Sequence, residues 1–461
     1  MITSNIGKIF LDAYNEKYGT SYDARTFFLE QFYPLFFDQN KQMMYAINSP
    51  FVQKLPSCRD CIKGIKSFEN IEQRAKRLNA FIEKVENNDA DMSIAIGYPS
   101  IEVNATTSGQ LTDLKMNTSK EDIFLSWIGG ALGITVSGGV SILFTHKNIL
   151  LDIFKGWKFY RKALNETLML DGNKINSWNG QWLFHYYDQR EYEEENPLAN
   201  FAPYKVDKDG IIGIETQTWT KILIGISKKY RNAQILGYIY SIGQTNTTIG
   251  FIPFNLNQIR RPIHLYEKIF GMSNGRNAES LWGTAIGFKT ACTYGAIGII
   301  AMEPKGLRDY VYSKGDNVPK QPKTPKNEDE QINFNVYKIW ILAMLNNDEL
   351  WEKSQELAEL LNEASSDKDK SISTKRKNLV ETMLNATNKK QFIAAAAEVV
   401  SFIGKIDEFK GIVKEIHGMP TDNVPYFLTL LRFQYKTRIQ QASAKLRNVW
   451  GCNLNCVKAC S

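Results

Sequence analysis

The sequence predicts an α+β protein: a mixed α/β body with a largely antiparallel sheet over residues 1–312, followed by a helical bundle over 331–461. Three observations carry this reading. The segments Ile211 to Ile226, Ala233 to Ile242 and Thr248 to Phe254 alternate apolar and polar residues, as half-buried strands do. Apolar residues recur at helical spacing near the N-terminus and through everything after residue 330. Between these regions, 313–330 holds three prolines among polar and charged residues with no apolar period, so it is expected to be an exposed linker or loop.

Taken in order, residues 7–46 predict helix, with Asp23 as an N-cap and Phe27, Phe28, Phe32, Leu35 and Phe36 on one apolar face. Phe68 to Val85 keeps helical spacing through Ile71, Ala75, Leu78, Phe81, Ile82 and Val85. Ser93 to Tyr98 predicts a strand stopped by Pro99. From Ile123 to Tyr160 the pattern gives a helix or turn, a glycine-punctuated hairpin, and a helix beginning near Ile149. The stretch from Asn104 to Trp182 sets tryptophans beside glycines, as in Trp127-Ile128-Gly129-Gly130, Gly156-Trp157 and Gly180-Gln181-Trp182. A large flat side chain next to a residue without Cβ predicts close backbone approach.

Residues 188–209, with Glu191 to Glu195 interrupted only by Tyr192, are expected to form a charged surface loop. In the bundle, Phe334 to Leu361 predicts helix, Ser366 to Lys377 a charged break, and Asn378 to Ile416 further helix. His417-Gly418-Met419-Pro420 stops it, and Thr421 or Asp422 caps a last helix with Pro425 in its first turn.

With 461 residues, 43% hydrophobic and 23% charged, the composition is that of an ordinary soluble globular protein large enough for two or three domains. The first residues have neither the basic nor the apolar region of a signal peptide, so secretion is not expected. Trp127 to Phe144 is short and glycine-rich, and Leu281 to Met302 contains Lys289. Neither fits the roughly 20 apolar residues of a span, so no membrane is expected. Six cysteines are too few for a disulfide scaffold, which points to a reducing cytoplasm.

No catalytic signature is present. The four histidines (146, 185, 264 and 417) form no metal motif, and glycine-rich phosphate loops and the G-x-S-x-G elbow are absent. Cys58-Arg59-Asp60-Cys61 is a single C-x-x-C, and Cys452, Cys456 and Cys460 stand far from it, so no metal and no cofactor is expected. The alternative is a metal-dependent nuclease whose carboxylates converge from separate segments, for instance Asp113, Glu121, Asp122, Asp207 and Glu215. A third reading is a toxin-like membrane protein built on the two glycine-rich apolar runs.

Charge distribution favours binding over chemistry. Lys and Arg total 56 against 49 Asp and Glu, a net +7, and after Asp422 the chain has no acidic side chain at all. Arg432, Lys436, Arg438, Lys445, Arg447 and Lys458 occupy that tail, interleaved with Tyr426, Phe427, Phe433, Tyr435 and Trp450. A solvated helix face normally mixes signs, so one-sign charge suggests phosphate contacts, although cations late in a helix also suit its dipole. Further candidates are Lys147, Lys158 and Arg161 beside the tryptophan segment, Arg260-Arg261, and the turn Asn274-Gly275-Arg276-Asn277. Arginine and asparagine offer forked donors to base edges.

A mixed body, a basic helical bundle and no catalytic motif together resemble, in architecture, the large subunit of type I CRISPR surveillance complexes of the Cascade type. That resemblance implies a non-catalytic role in antiviral defence. The body would sit near the 5′ end of a guide RNA, and its loops would read a short duplex motif beside the target DNA while guide pairing reads the sequence. It implies Thr107, Gln110, Asn274 and Arg276 as groove readers. Arg432, Lys436, Arg438, Lys445 and Arg447 would hold the displaced strand. Other subunits of the complex, and a helicase-nuclease recruited in trans, would be its partners.

Overall fold

The computed structural model describes residues 1–44, 50–51, 55–87, 94–98, 117–188, 191–231, 233–241, 247–271, 279, 281–283, 287–295, 297–312, 319–365, 369–403 and 405–439. The fold is α+β, with a four-stranded antiparallel sheet in the body and helices throughout the C-terminal part. Two compact units make up the chain: Met1–Arg260 with Ile286–Gly298, and Arg261–Ala285 with Ile299–Ser461. This division falls earlier than 313–330. Residues 319–327 belong to the second unit, where Lys320 N donates to Asp309 O (2.9 Å) and Gln321 Nε2 to Asn385 Oδ1 (3.0 Å).

In the first unit the sheet runs β1-β2-β5-β6, with β1 at Ile134–Val136, β2 at Val140–Phe144, β5 at Gln234–Ser241 and β6 at Thr247–Asn255. The β1–β2 turn uses Gly138 and Gly139, both at positive φ, a region that L side chains rarely enter. A separate two-stranded ribbon pairs β3 (Tyr204–Val206), inside the stretch expected to be loop, with β4 (Ile212–Ile214), because exposed residues there still pair their backbone in register.

The helices of this unit cross where glycine allows it. A Cβ on Gly129 of helix Lys120–Ala131 would stand 1.9 Å from Thr3 O, and one on Gly7 of helix Ile2–Tyr18 would stand 2.1 Å from Leu125 O. Gly156 of helix Lys147–Glu166 leaves room for the Trp182 ring, 2.5 Å from where its Cβ would be. Each neighbouring indole is anchored: Trp127 Nε1 donates to Ile94 O, Trp178 Nε1 to Gly156 O and Trp182 Nε1 to Asp152 O. The tryptophan–glycine pairing in the sequence therefore marks real backbone contacts. Asp23 caps as expected, accepting from Thr26 N at 2.7 Å. The aromatic residues after it stack into the core, with Phe32 and Phe36 rings 4.1 Å apart.

Four local expectations are corrected. Residues 94–98 form turns rather than a strand: Gly97 has φ 77°, and the carbonyls of Ile94 and Ile96 accept from Trp127 and Thr3 side chains. Only Ile212–Ile214 of the 211–226 segment is strand. Thr218 then caps helix Trp219–Lys229, in which Ile222, Leu223, Ile224 and Ile226 are all buried, so their apparent alternation carried no strand information. Residues 334–361 are split between helices Glu328–Leu345 and Glu349–Ala364, because Asn346 adopts a left-handed conformation (φ 53°). Finally, the 366–377 break is largely helix Lys370–Leu384, which Asp369 caps by accepting from Ser371 N at 2.8 Å.

In the second unit, helix Glu328–Leu345 is the centre. Val336, Tyr337, Ile339, Trp340, Ile341 and Leu342 are all buried, which is the signature of a helix surrounded by others. Helices Lys389–Ile403, Ile406–Gly418 and a last one over 424–439 complete the bundle.

Candidate nucleic-acid interface

The last helix begins after a short 3-10 turn, Thr421–Asn423, and buries Val424, Phe427, Leu428, Leu431 and Phe433. Its outer end, with Tyr435, Lys436 and Ile439 half-buried, borders a cleft of about 650 Å³ within the second unit. The other lining residues include Gln321, Asn362, Lys377, Glu381 and Arg432. Three cations thus face one carboxylate, among amide groups able to donate and accept.

Arg432 is not the open phosphate contact that the tail charge suggested. It is 3% exposed, and both terminal nitrogens of its guanidinium are engaged in structure, while the buried Nε has no partner among the described residues. Nη1 donates to Leu384 O (3.2 Å), and Nη2 donates to Tyr310 O (2.9 Å) and Thr429 Oγ1 (2.7 Å). Leu384 ends helix Lys370–Leu384, so the arginine satisfies a C-terminal carbonyl where the helix dipole favours a cation. Burial pulls its pKa down to about 10, which leaves it charged at neutral pH. Its charge acts on the cleft from the wall, through a medium less screening than water.

Lys436, one turn further on, and Lys377, exposed on helix Lys370–Leu384, form no ion pair among the described residues. Burial, and secondarily the charge of Glu381, raises the pKa of the Tyr435 phenol, so it stays a neutral hydroxyl. Lys377 escaped the sequence reading because it lay in the supposed break. The consecutive Lys375-Arg376-Lys377 was the available signal.

Other candidates fare differently. Arg438 pairs with Glu359, Arg261 with Asp348 (2.5 Å) and Lys147 with Glu16 (2.8 Å), so the charge of each is already met within the protein. Arg161 is buried, donating to the carbonyls of Leu35 and Gln42, and is structural. Arg260 is half-buried in helix Leu256–Phe270 and does not line this cleft. Thr107, Gln110, Asn274, Arg276, Lys445 and Arg447 lie outside the described residues, as do Asp113 and the cysteines after 450.

Carboxylates named for a nuclease serve local structure: Asp122 closes a capping box with Ser119, and Asp207 accepts from Asp209 N and Ile211 N. Among the described residues no three His, Cys, Asp or Glu side chains are grouped to hold a metal. Cys58 and Cys61 lie on helix Leu55–Ile62. Burial raises both thiol pKa values, that of Cys58 to about 11, which disfavours the thiolate a metal requires. No helix among the described residues is long and apolar enough to cross a membrane. Compared with known protein families, curated proteins and solved structures, the chain matches none.

Proposed function

We propose that the protein is a non-catalytic nucleic-acid-binding subunit that grips a single strand in the cleft of its helical bundle. The observation that carries this is the pair of lysines, Lys377 and Lys436, without an ion pair among the described residues and facing the same cleft as Tyr435 and the buried cationic Arg432. A groove with excess positive charge, an aromatic side chain and amides suits a phosphate backbone with bases alongside. The proposed setting is cytoplasmic. It is the RNA-guided surveillance complex that the architecture resembles, with guide RNA, target DNA, the other subunits and a recruited helicase-nuclease as partners. That setting rests on domain order alone.

Binding of a labelled oligothymidylate to the purified protein tests the cleft. Lys377→Glu with Lys436→Glu should lower the slope of log affinity against log salt by about 1.4, two contacts at about 0.7 each. An unchanged slope sinks the cleft as the binding site. Capture of the tagged protein from its native cell tests the setting. Stoichiometric partners and a uniform short RNA are expected, and protein recovered free of RNA would retire it.

A further inference from the structure

The first unit carries a second basic groove, of about 380 Å³, that the reading above does not use. It lies along helix Ile71–Glu86 and is lined by Glu69, Gln73, Lys76, Arg77, Lys84 and the buried ring of Phe81, among others. Gln73, Lys76, Arg77, Ala80 and Lys84 recur at spacings that keep them on one helix face. Ala80, the smallest of these side chains, lies midway between the two lysines and leaves the space open.

Arg77 belongs to the wall rather than to a ligand. Its Nε and Nη2 donate to the Glu69 carboxylate (2.8 and 2.6 Å), and its Nη1 donates to Pro50 O (3.2 Å). That pairing cancels the one carboxylate among the described residues that line the groove. Lys76 and Lys84 are exposed, and among the described residues neither has an ion pair or hydrogen bond. Glu72 and Glu83, on the same helix, do not line the groove and pair with neither lysine.

Eight residues separate Lys76 from Lys84, which is about 12 Å along a helix rising 1.5 Å per residue. A strand stacked as in a duplex, advancing about 3.4 Å per nucleotide, covers that distance in three to four nucleotides and a more extended strand in fewer, so one strand lying along the helix meets both ammonium groups. Phe81 is fully buried, leaving no ring for a base to stack on.

We propose that this groove is a second contact for the phosphate backbone of a nucleic-acid strand, independent of base identity. The proposal rests on the nucleic-acid reading above but not on the cleft that carries it. The test uses the full chain with a labelled 30-nucleotide oligothymidylate across a salt series. Lys76→Glu with Lys84→Glu should lower the slope of log affinity against log salt by about 1.4. That corresponds to about 25-fold weaker binding at 0.1 M salt, converging with wild type toward 1 M. Lys76→Ala with Lys84→Ala, neutral and helix-favouring, should reproduce the drop in slope without altering the melting curve. An unchanged slope in this neutral pair overturns the groove. If the cleft variant loses its slope while this pair keeps it, the groove falls and the function stands. If wild-type protein does not bind the strand at all, both fall.

Discussion

Lys338 gives the sharpest stability prediction. It sits on the central helix Glu328–Leu345, 3% exposed, with its ammonium 5.5 Å from the Phe270 ring centre and 5.7 Å from that of Trp351. It has no ion pair among the described residues, and burial alone pulls its pKa from the ordinary 10.5 to about 8. In the unfolded chain the amine holds its proton up to about pH 10.4, whereas in the folded chain it releases it above about 8. Between those values the unfolded state binds more protons, so this group's contribution to stability rises with pH; below 8 its full cost is present. That lowering corresponds to about 3 kcal/mol, and the two rings, near the far limit of cation–π contact, return about 0.5–1 kcal/mol each.

Lys338→Met keeps the length and removes the charge. It should therefore stabilise the protein by about 1–3 kcal/mol at pH 7, and by less than about 1 kcal/mol at pH 10. Urea unfolding of both proteins at the two pH values measures this, because every other titrating group cancels in the difference. A variant no more stable than wild type at pH 7, or one with the same gain at pH 10, would refute the account.

Two further predictions concern packing and one concerns the site. Gly129→Ala drives a Cβ into Thr3 O at a buried helix crossing and should cost about 3 kcal/mol or more, whereas Gly19→Ala meets no neighbour and should cost about 1 kcal/mol for its positive φ; thermal melts compare them. Arg432→Met strips donors from Leu384 and Tyr310 carbonyls and should destabilise by about 1–3 kcal/mol in denaturant titration, an effect that a purely ligand-binding arginine would not produce. Exchanging the Arg438–Glu359 pair by Arg438→Glu with Glu359→Arg should leave strand binding within twofold of wild type, measured by fluorescence anisotropy, because that charge is already met inside the protein.

The fold class was legible because its signals are local. Helical spacing from Phe68 to Val85, the alternation from Ala233 to Ile242, and the cap at Asp23 each rest on a few consecutive residues, and they appear as helix Ile71–Glu86, strand Gln234–Ser241 and the Asp23–Thr26 hydrogen bond. The errors came where local pattern was ambiguous. Ile222, Ile224 and Ile226 satisfy strand alternation and, with Leu223, the all-round burial of an internal helix equally well. Asn346 could end a helix only by adopting positive φ, which no neighbouring proline or glycine announced.

The charged site was far less legible, for a physical reason. Whether a lysine or arginine is available to a phosphate depends on what lies opposite it, and those partners are remote in sequence. Glu16 is 131 positions from Lys147, and Asp348 is 87 from Arg261. Counting charges along the tail therefore overstated the last helix. One clue was present: Arg432 falls one turn after Leu428 and beside Leu431, on the apolar stripe, where a cation must be buried and tied to acceptors. Free charge is instead found where small or polar neighbours keep a cleft open, as at Lys377 and Lys436 or Lys76 and Lys84. In this protein the cations worth testing are those that the fold leaves unpaired, and a long basic run in the sequence is a weak guide to them.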